Sequence, residues 1–198
     1  MPAFILFILC TIDGGIEPHI VYMTLWGNNL AWILPLLSVY LSKNPARSPL
    51  RKLTLQLTEF TMSMQIVITL VYWLMIHHEV KPKLEAEGRE LMLFINIYIH
   101  FLPLLSMIIL VLLQNTGFSA KHFPFTFVVS CVFILVNFAS CKIAGKQYYP
   151  FFPFNDVQSW ITAAFLVVSA TVCYVVTALV VGLLPKNVRK DTDHRKKK

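Results

Sequence analysis

His100 lies about ten residues into an apolar run, Leu91–Leu113, that is long enough to cross a bilayer. Asn96 stands one helical turn earlier, so the two polar side chains share a face. An imidazole titrates near neutral pH and can take a proton from a hydroxyl. At such depth a titratable group is costly and faces a bundle interior or a cavity. It can also serve as a structural hydrogen-bonding group between helices. A second polar pair, Thr24 and Asn28, shares a face of the run Ile20–Leu41. A Thr hydroxyl is almost fully protonated at pH 7 and becomes a nucleophile only beside a base. A Thr hydroxyl, a His base and amide donors from Asn28 or Asn96 suffice for acyl transfer. The hydroxyl attacks an ester carbonyl, the imidazole relays the proton, and the donors hold the oxyanion. Counted from the predicted membrane edge, Thr24 is about four residues deep and His100 about nine, a mismatch of roughly 7–8 Å.

Other polar groups read more simply. His77, His78 and Glu79 lack the spacing of a zinc-binding helix and read as an interfacial helix end. Glu59 near the start of its helix complements the helix dipole. Asn137 on a later apolar run reads as a link between helices. Cys10, Cys131, Cys141 and Cys173 sit in or beside apolar segments without metal-ligand spacing and read as small core residues. No metal and no organic cofactor is expected.

These residues are carried by an integral membrane protein. The 198 residues are 57% hydrophobic, above the ~45–50% of soluble domains. Five runs are long enough to cross: Ile20–Leu41, Leu57–His77, Leu91–Leu113, Phe123–Cys141 and Val157–Leu184. A sixth, Pro2–Ile12, is shorter and reads as an abbreviated, retained helix. The expected fold is therefore an all-α polytopic bundle of five crossings and a sixth short one. It forms a single domain over residues 1–184, followed by a basic, disordered tail over 185–198.

Alternate loops carry twelve and five of the 17 Lys and Arg. The positive-inside rule then puts the loop after Leu41 and the C-terminus in the cytosol. The basic ending, Arg195 to Lys198, resembles a retrieval signal of the endoplasmic reticulum, and basic tails also bind anionic lipid at the plasma membrane. No basic stripe with interleaved aromatics occurs, which argues against nucleic acid as a partner. The aromatic run Tyr148, Tyr149, Phe151, Phe152 and Phe154, broken by Pro150 and Pro153, is predicted to lie at the membrane interface.

Three patches together resemble one family. They are Tyr22-Met23-Thr24-Leu25-Trp26, then Asn96-Ile97-Tyr98-Ile99-His100 with Leu102-Pro103, then Ala144-Gly145-Lys146-Gln147-Tyr148-Tyr149-Pro150-Phe151. In order and separation they resemble the androgen-induced transmembrane hydrolase family, multipass proteins that hydrolyse fatty acid esters of hydroxy fatty acids. The resemblance implies Thr24 as nucleophile and His100 as the catalytic histidine, with Asn96 at the matching spacing. It implies a lipid ester drawn from the bilayer as substrate. Two other classes fit the residues alone: a transporter whose path is lined by His100, Asn96 and Asn137, and a non-catalytic membrane scaffold.

Overall fold

The computed structural model describes residues 21–44, 48–114, 118–149 and 152–183. The Pro2–Ile12 run and the 185–198 tail lie outside the described residues. The described chain is all-helical. Helix α1 spans Met23–Lys43 and α2 spans Ser48–Val71. A π-helical turn, Tyr72–Ile76, joins α2 to α3, His77–Ala86. Helix α4 spans Glu90–Gln114. A short 3₁₀ turn, Ala120–His122, leads into α5, Phe123–Ala144, and α6 spans Val157–Leu183.

Among the described residues, four helical runs are long and apolar enough to cross a membrane: Pro49–Ala86, Glu90–Leu113, Ala120–Ala144 and Val157–Leu183. Helix α1 is long enough but is diluted by Gly27-Asn28-Asn29 and Pro35. The crossing within Pro49–Ala86 is 56% buried inside the bundle, against 28% for each of the other three. Composition explains that central place. One 80° sector of α2 carries Thr54, Thr58, Thr61, Gln65 and Thr69, at spacings of three and four residues. Lipid offers these groups no partner, so the helix that carries them goes to the middle. Helix α2 packs against α1, α4, α5 and α6, and α4 also packs against α1.

The sequence places the end of this helix at His77, yet the helix runs on for 38 residues to Ala86. At ~1.5 Å per residue it is about 57 Å long, roughly twice the ~30 Å hydrocarbon layer. Lys and Glu are good helix formers, and Lys81 and Glu85 pair across one turn at 3.8 Å. Pro82 deprives only the exposed His78 of a backbone donor.

The aromatic run after α5 also departs from expectation. Phe152 and Phe154 point into the protein instead of outward. They stack on each other at 5.4 Å and are 1% and 3% exposed. With Phe133, Ile134, Ala163 and Val167 they form one of the core clusters. Gly145, at φ 63°, ends α5 in the left-handed conformation and donates to the Cys141 carbonyl at 3.0 Å. That reversal, and Phe154 at φ 52°, turn the segment back into the bundle. Asp156 then caps α6, accepting from the Ser159 amide at 2.7 Å and the Ser159 hydroxyl at 2.6 Å.

Candidate active site

Thr24 lies in the first turn of α1. Its helix begins at Tyr22 without a side-chain cap, so the first backbone donors need partners from elsewhere. Tyr149 supplies one: its hydroxyl oxygen accepts from the Met23 amide at 2.9 Å. Burial pushes the Tyr149 phenol above its ordinary value, and the Met23 bond pulls it partly back. Asn137, buried on α5, donates to the Val21 carbonyl at 3.0 Å, as expected of a link between helices. Thr24 is thus flanked by backbone held from two other elements.

Thr24 is one of the residues that line an open cavity of about 70 Å³. Met64, Val67, Ile68 and Val71 of α2 form one wall, Ser130, Phe133 and Ile134 of α5 another, and Leu166, Val167 and Ala170 of α6 a third. Tyr149 and Phe152 close it near Thr24. Thr24, Ser130 and Tyr149 are the hydroxyl-bearing residues in an otherwise apolar lining.

His100 is on the neighbouring α4 and does not line that cavity. It is buried and lies flat on Tyr72, with ring centroids 4.0 Å apart and planes 11° from parallel. Tyr72 belongs to the π turn, a local widening of the helix that recurs at functional sites. Its hydroxyl is 3.2 Å from His77 Nδ1. The His100 Nδ1 atom is buried with no hydrogen-bond partner, and among the described residues the Thr24 hydroxyl and the imidazole are not hydrogen-bonded to each other.

What joins the two residues is Asn28. Pro103 has no N–H, so the carbonyl four residues earlier, on Ile99, loses its intrahelical donor. With the Asn28 amide nitrogen turned toward α4, it donates to the Ile99 carbonyl at 3.2 Å and to the Thr24 carbonyl at 3.3 Å. The next carbonyl, on His100 itself, accepts from the Thr69 hydroxyl of α2 at 2.7 Å. Two neighbouring helices therefore replace the bonding that Pro103 disturbs, right where His100 sits. Asn28 is level with Ile99, which leaves Thr24 one turn, about 6 Å, nearer the start of the bundle. Asn96 donates to the Met92 carbonyl of its own helix at 3.1 Å on a more open face.

The sequence passes over two further groups. Gln65 is fully buried with neither amide atom bonded, although its place in the polar stripe of α2 was readable from spacing. Glu59 is not in a first helical turn, because α2 begins eleven residues earlier, at Ser48. It is fully buried. Its Oε1 accepts from the Ser119 amide at 3.0 Å, and its Oε2 lies 2.7 Å from His122 Nδ1 and 2.6 Å from the Tyr174 hydroxyl. Nothing in the sequence pairs residues 115 positions apart. The Tyr174 hydroxyl is also 2.8 Å from the Ser119 carbonyl, and its one hydrogen can serve only one of these two acceptors at a time.

Among the described residues no three His, Cys, Asp or Glu side chains gather as a metal site. Comparison with protein-family models, with curated proteins and with solved structures finds no match.

Proposed function

We propose that this chain is an intramembrane hydrolase of lipid esters, with Thr24 as nucleophile and His100 as base. Fatty acid esters of hydroxy fatty acids are the substrate class, through membership of the androgen-induced transmembrane hydrolase family. The observation that carries the reading is the placement of Thr24: it opens onto an apolar cavity, and Asn28 ties its backbone to the residue before His100. An acyl chain fills the cavity between α2, α5 and α6. The Thr24 oxygen attacks the ester carbon, and its proton passes through water across the one-turn offset to His100. The imidazolium then returns the proton to the departing alkoxide. Water hydrolyses the acyl-threonine by the same exchange in reverse. Asn28 and Asn96 support the site, Asn28 through the backbone it holds.

In the membrane, α1 makes the fifth crossing. The C-terminus faces the cytosol, in the endoplasmic reticulum or plasma membrane.

A second reading is a non-catalytic scaffold. It is favoured by Asn28, Thr69 and Asn137, each of which bonds a backbone carbonyl of another element. Purified protein in lipid nanodiscs, given an esterified hydroxy fatty acid, separates the two. Release of free acid that is abolished by Thr24→Ala and by His100→Ala, with both variants still folded by circular dichroism, is the expected result. Equal rates in wild type and both variants leave the scaffold reading.

A further inference from the structure

An ester hydrolase must hold the negative charge that develops on the carbonyl oxygen as the nucleophile attacks. The two amides nearest in sequence to Thr24 and His100 are occupied elsewhere. Asn28 gives its nitrogen to the Ile99 and Thr24 carbonyls, and Asn96 gives its own to Met92. Three hydroxyl-bearing residues line the cavity: Thr24, Ser130 and Tyr149. Ser130 stands on α5, where its hydroxyl is 3.9 Å from Met64 Sδ. Tyr149 stands beside Thr24. Its phenol oxygen accepts from the Met23 amide at 2.9 Å, and Thr24 is the next residue, ~3.8 Å on between Cα atoms.

The phenol is also held in place. Its ring meets Tyr22 edge-on at 5.6 Å, Phe133 at 6.3 Å and Phe152 at 5.7 Å. The Gln147 side-chain amide donates to the Tyr149 carbonyl at 2.6 Å. A donor fixed before the charge appears needs no reorganisation when it does. The Met23 bond uses the phenol oxygen as an acceptor, and an oxygen that accepts still carries its own hydrogen. The O–H turns about its C–O bond, and an oxyanion draws it more strongly than a neutral acceptor does at rest. Burial raises the phenol above its ordinary value, so that hydrogen is retained across the neutral range.

We propose that Tyr149 is the oxyanion donor: its hydroxyl donates a hydrogen bond to the ester carbonyl oxygen as Thr24 attacks. The proposal rests on the hydrolase reading and adds a third catalytic residue to it. The Thr24 oxygen bonds the ester carbon and gives up its proton to His100. The carbonyl electron pair moves onto the carbonyl oxygen, which Tyr149 holds without proton transfer. The pair then re-forms the carbonyl as the alkoxide leaves and takes the proton from His100. The Met23 amide keeps the phenol oxygen in position throughout.

The test separates the acceptor and donor roles of this oxygen, with p-nitrophenyl fatty acid esters as substrates in nanodiscs. Replacing Tyr149 by O-methyltyrosine keeps an oxygen for the Met23 amide and removes the hydrogen. Tyr149→Phe removes both, and replacement by 3-fluorotyrosine keeps both. In the first two proteins kcat is expected to fall about a hundredfold or more, and in the third to stay within about twofold of wild type. A fatty trifluoromethyl ketone, which Thr24 converts to a tetrahedral anion, is expected to lose affinity for Tyr149→Phe by a similar factor. The corresponding secondary alcohol forms no anion and is expected to bind as before. The wild-type rate in the O-methyltyrosine protein shows an oxygen that only anchors α1, and overturns the proposal. So does a 3-fluorotyrosine protein as slow as Tyr149→Phe, or a parallel loss of ketone and alcohol. If Tyr149→Phe does not fold, the O-methyltyrosine and 3-fluorotyrosine proteins decide alone. A wild-type protein without turnover removes the hydrolase reading and this proposal with it. Turnover that ignores the Tyr149 hydrogen removes the proposal alone.

Discussion

Tyr72 and His100 lie ring on ring, 4.0 Å between centroids, although one sits on a π turn and the other in the middle of a different helix. The stack fixes the plane of the imidazole, since the Tyr72 ring is itself fully buried. Such contacts are worth about 0.5–1.5 kcal/mol beyond burial, or roughly threefold to tenfold in a rate that depends on imidazole orientation. Tyr72→Phe keeps the ring and is expected to leave ester hydrolysis near wild type. Tyr72→Leu is expected to lower it by that factor. Initial-rate assays of the two variants check this, and equal rates show that the stack does not orient His100.

Pro103 and Asn28 form a matched pair, the first removing a donor from the Ile99 carbonyl and the second restoring one. Asn28→Leu is expected to destabilise the bundle by about 1–3 kcal/mol, because that carbonyl is then buried without a partner. Pro103→Ala returns a backbone N–H, so the loss from Asn28→Leu shrinks in that background. A double-mutant cycle read by denaturant titration in mixed micelles measures the coupling. Additive losses contradict the pairing.

The cavity wall at Ala170 is 2% exposed and faces Thr24 across the empty space. Ala170→Phe fills the room assigned to the acyl chain. Hydrolysis of long-chain esters is expected to fall about tenfold or more, while acetate esters are turned over nearly as before. A parallel loss for both chain lengths means that the acyl group binds elsewhere.

In the middle of α2, Glu59 gathers Tyr174, His122 and the Ser119 amide. Glu59→Ala leaves the Ser119 amide and His122 without their partner and Tyr174 with only the Ser119 carbonyl, and is expected to cost about 3–5 kcal/mol. Tyr174→Phe removes one hydroxyl and is expected to cost about 1–3 kcal/mol. Denaturant titration ranks the two; a Tyr174→Phe loss as large as that of Glu59→Ala places the tie in the phenol.

The Asp156 carboxyl is held below its ordinary value by the Ser159 hydroxyl and amide that it accepts from. A lowered carboxylate stabilises the fold at pH values above its unfolded pKa. That contribution fades as the pH falls through the lower folded value. The wild-type melting temperature is therefore expected to drop on acidification below about pH 4. Asp156→Ala is expected to start lower at neutral pH and to show a shallower acid decline. Identical acid limbs in the two proteins contradict the cap.

Much of the helical frame is legible in the sequence, because apolar runs of about 20 residues leave few alternatives in lipid. Asn137 is legible as a link for the same reason: a buried amide in an apolar helix must reach another backbone. The extent of α2 is not, since the sequence offers no stop at His77 beyond the end of its apolar residues. Polar helix formers carry the helix onward through Pro82 to Ala86. The inward turn of Phe152 and Phe154 is hidden because aromatics suit both an interface and a core, and only the reversal at Gly145 decides between them. For the candidate site, spacing picks out Thr24 with Asn28 and Asn96 with His100. It does not say that Asn28 reaches the carbonyl left free by Pro103, although proline chemistry names that carbonyl in advance.

The double grip of Asn28 governs how Thr24 and His100 drift relative to each other. One nitrogen is fastened to both backbones, so when α1 slides or tilts against α4, the pivot travels with it. Thermal breathing of the bundle then moves the hydroxyl and the imidazole largely as passengers on a common hinge, and the gap between them varies less than the gap between the helices that bear them.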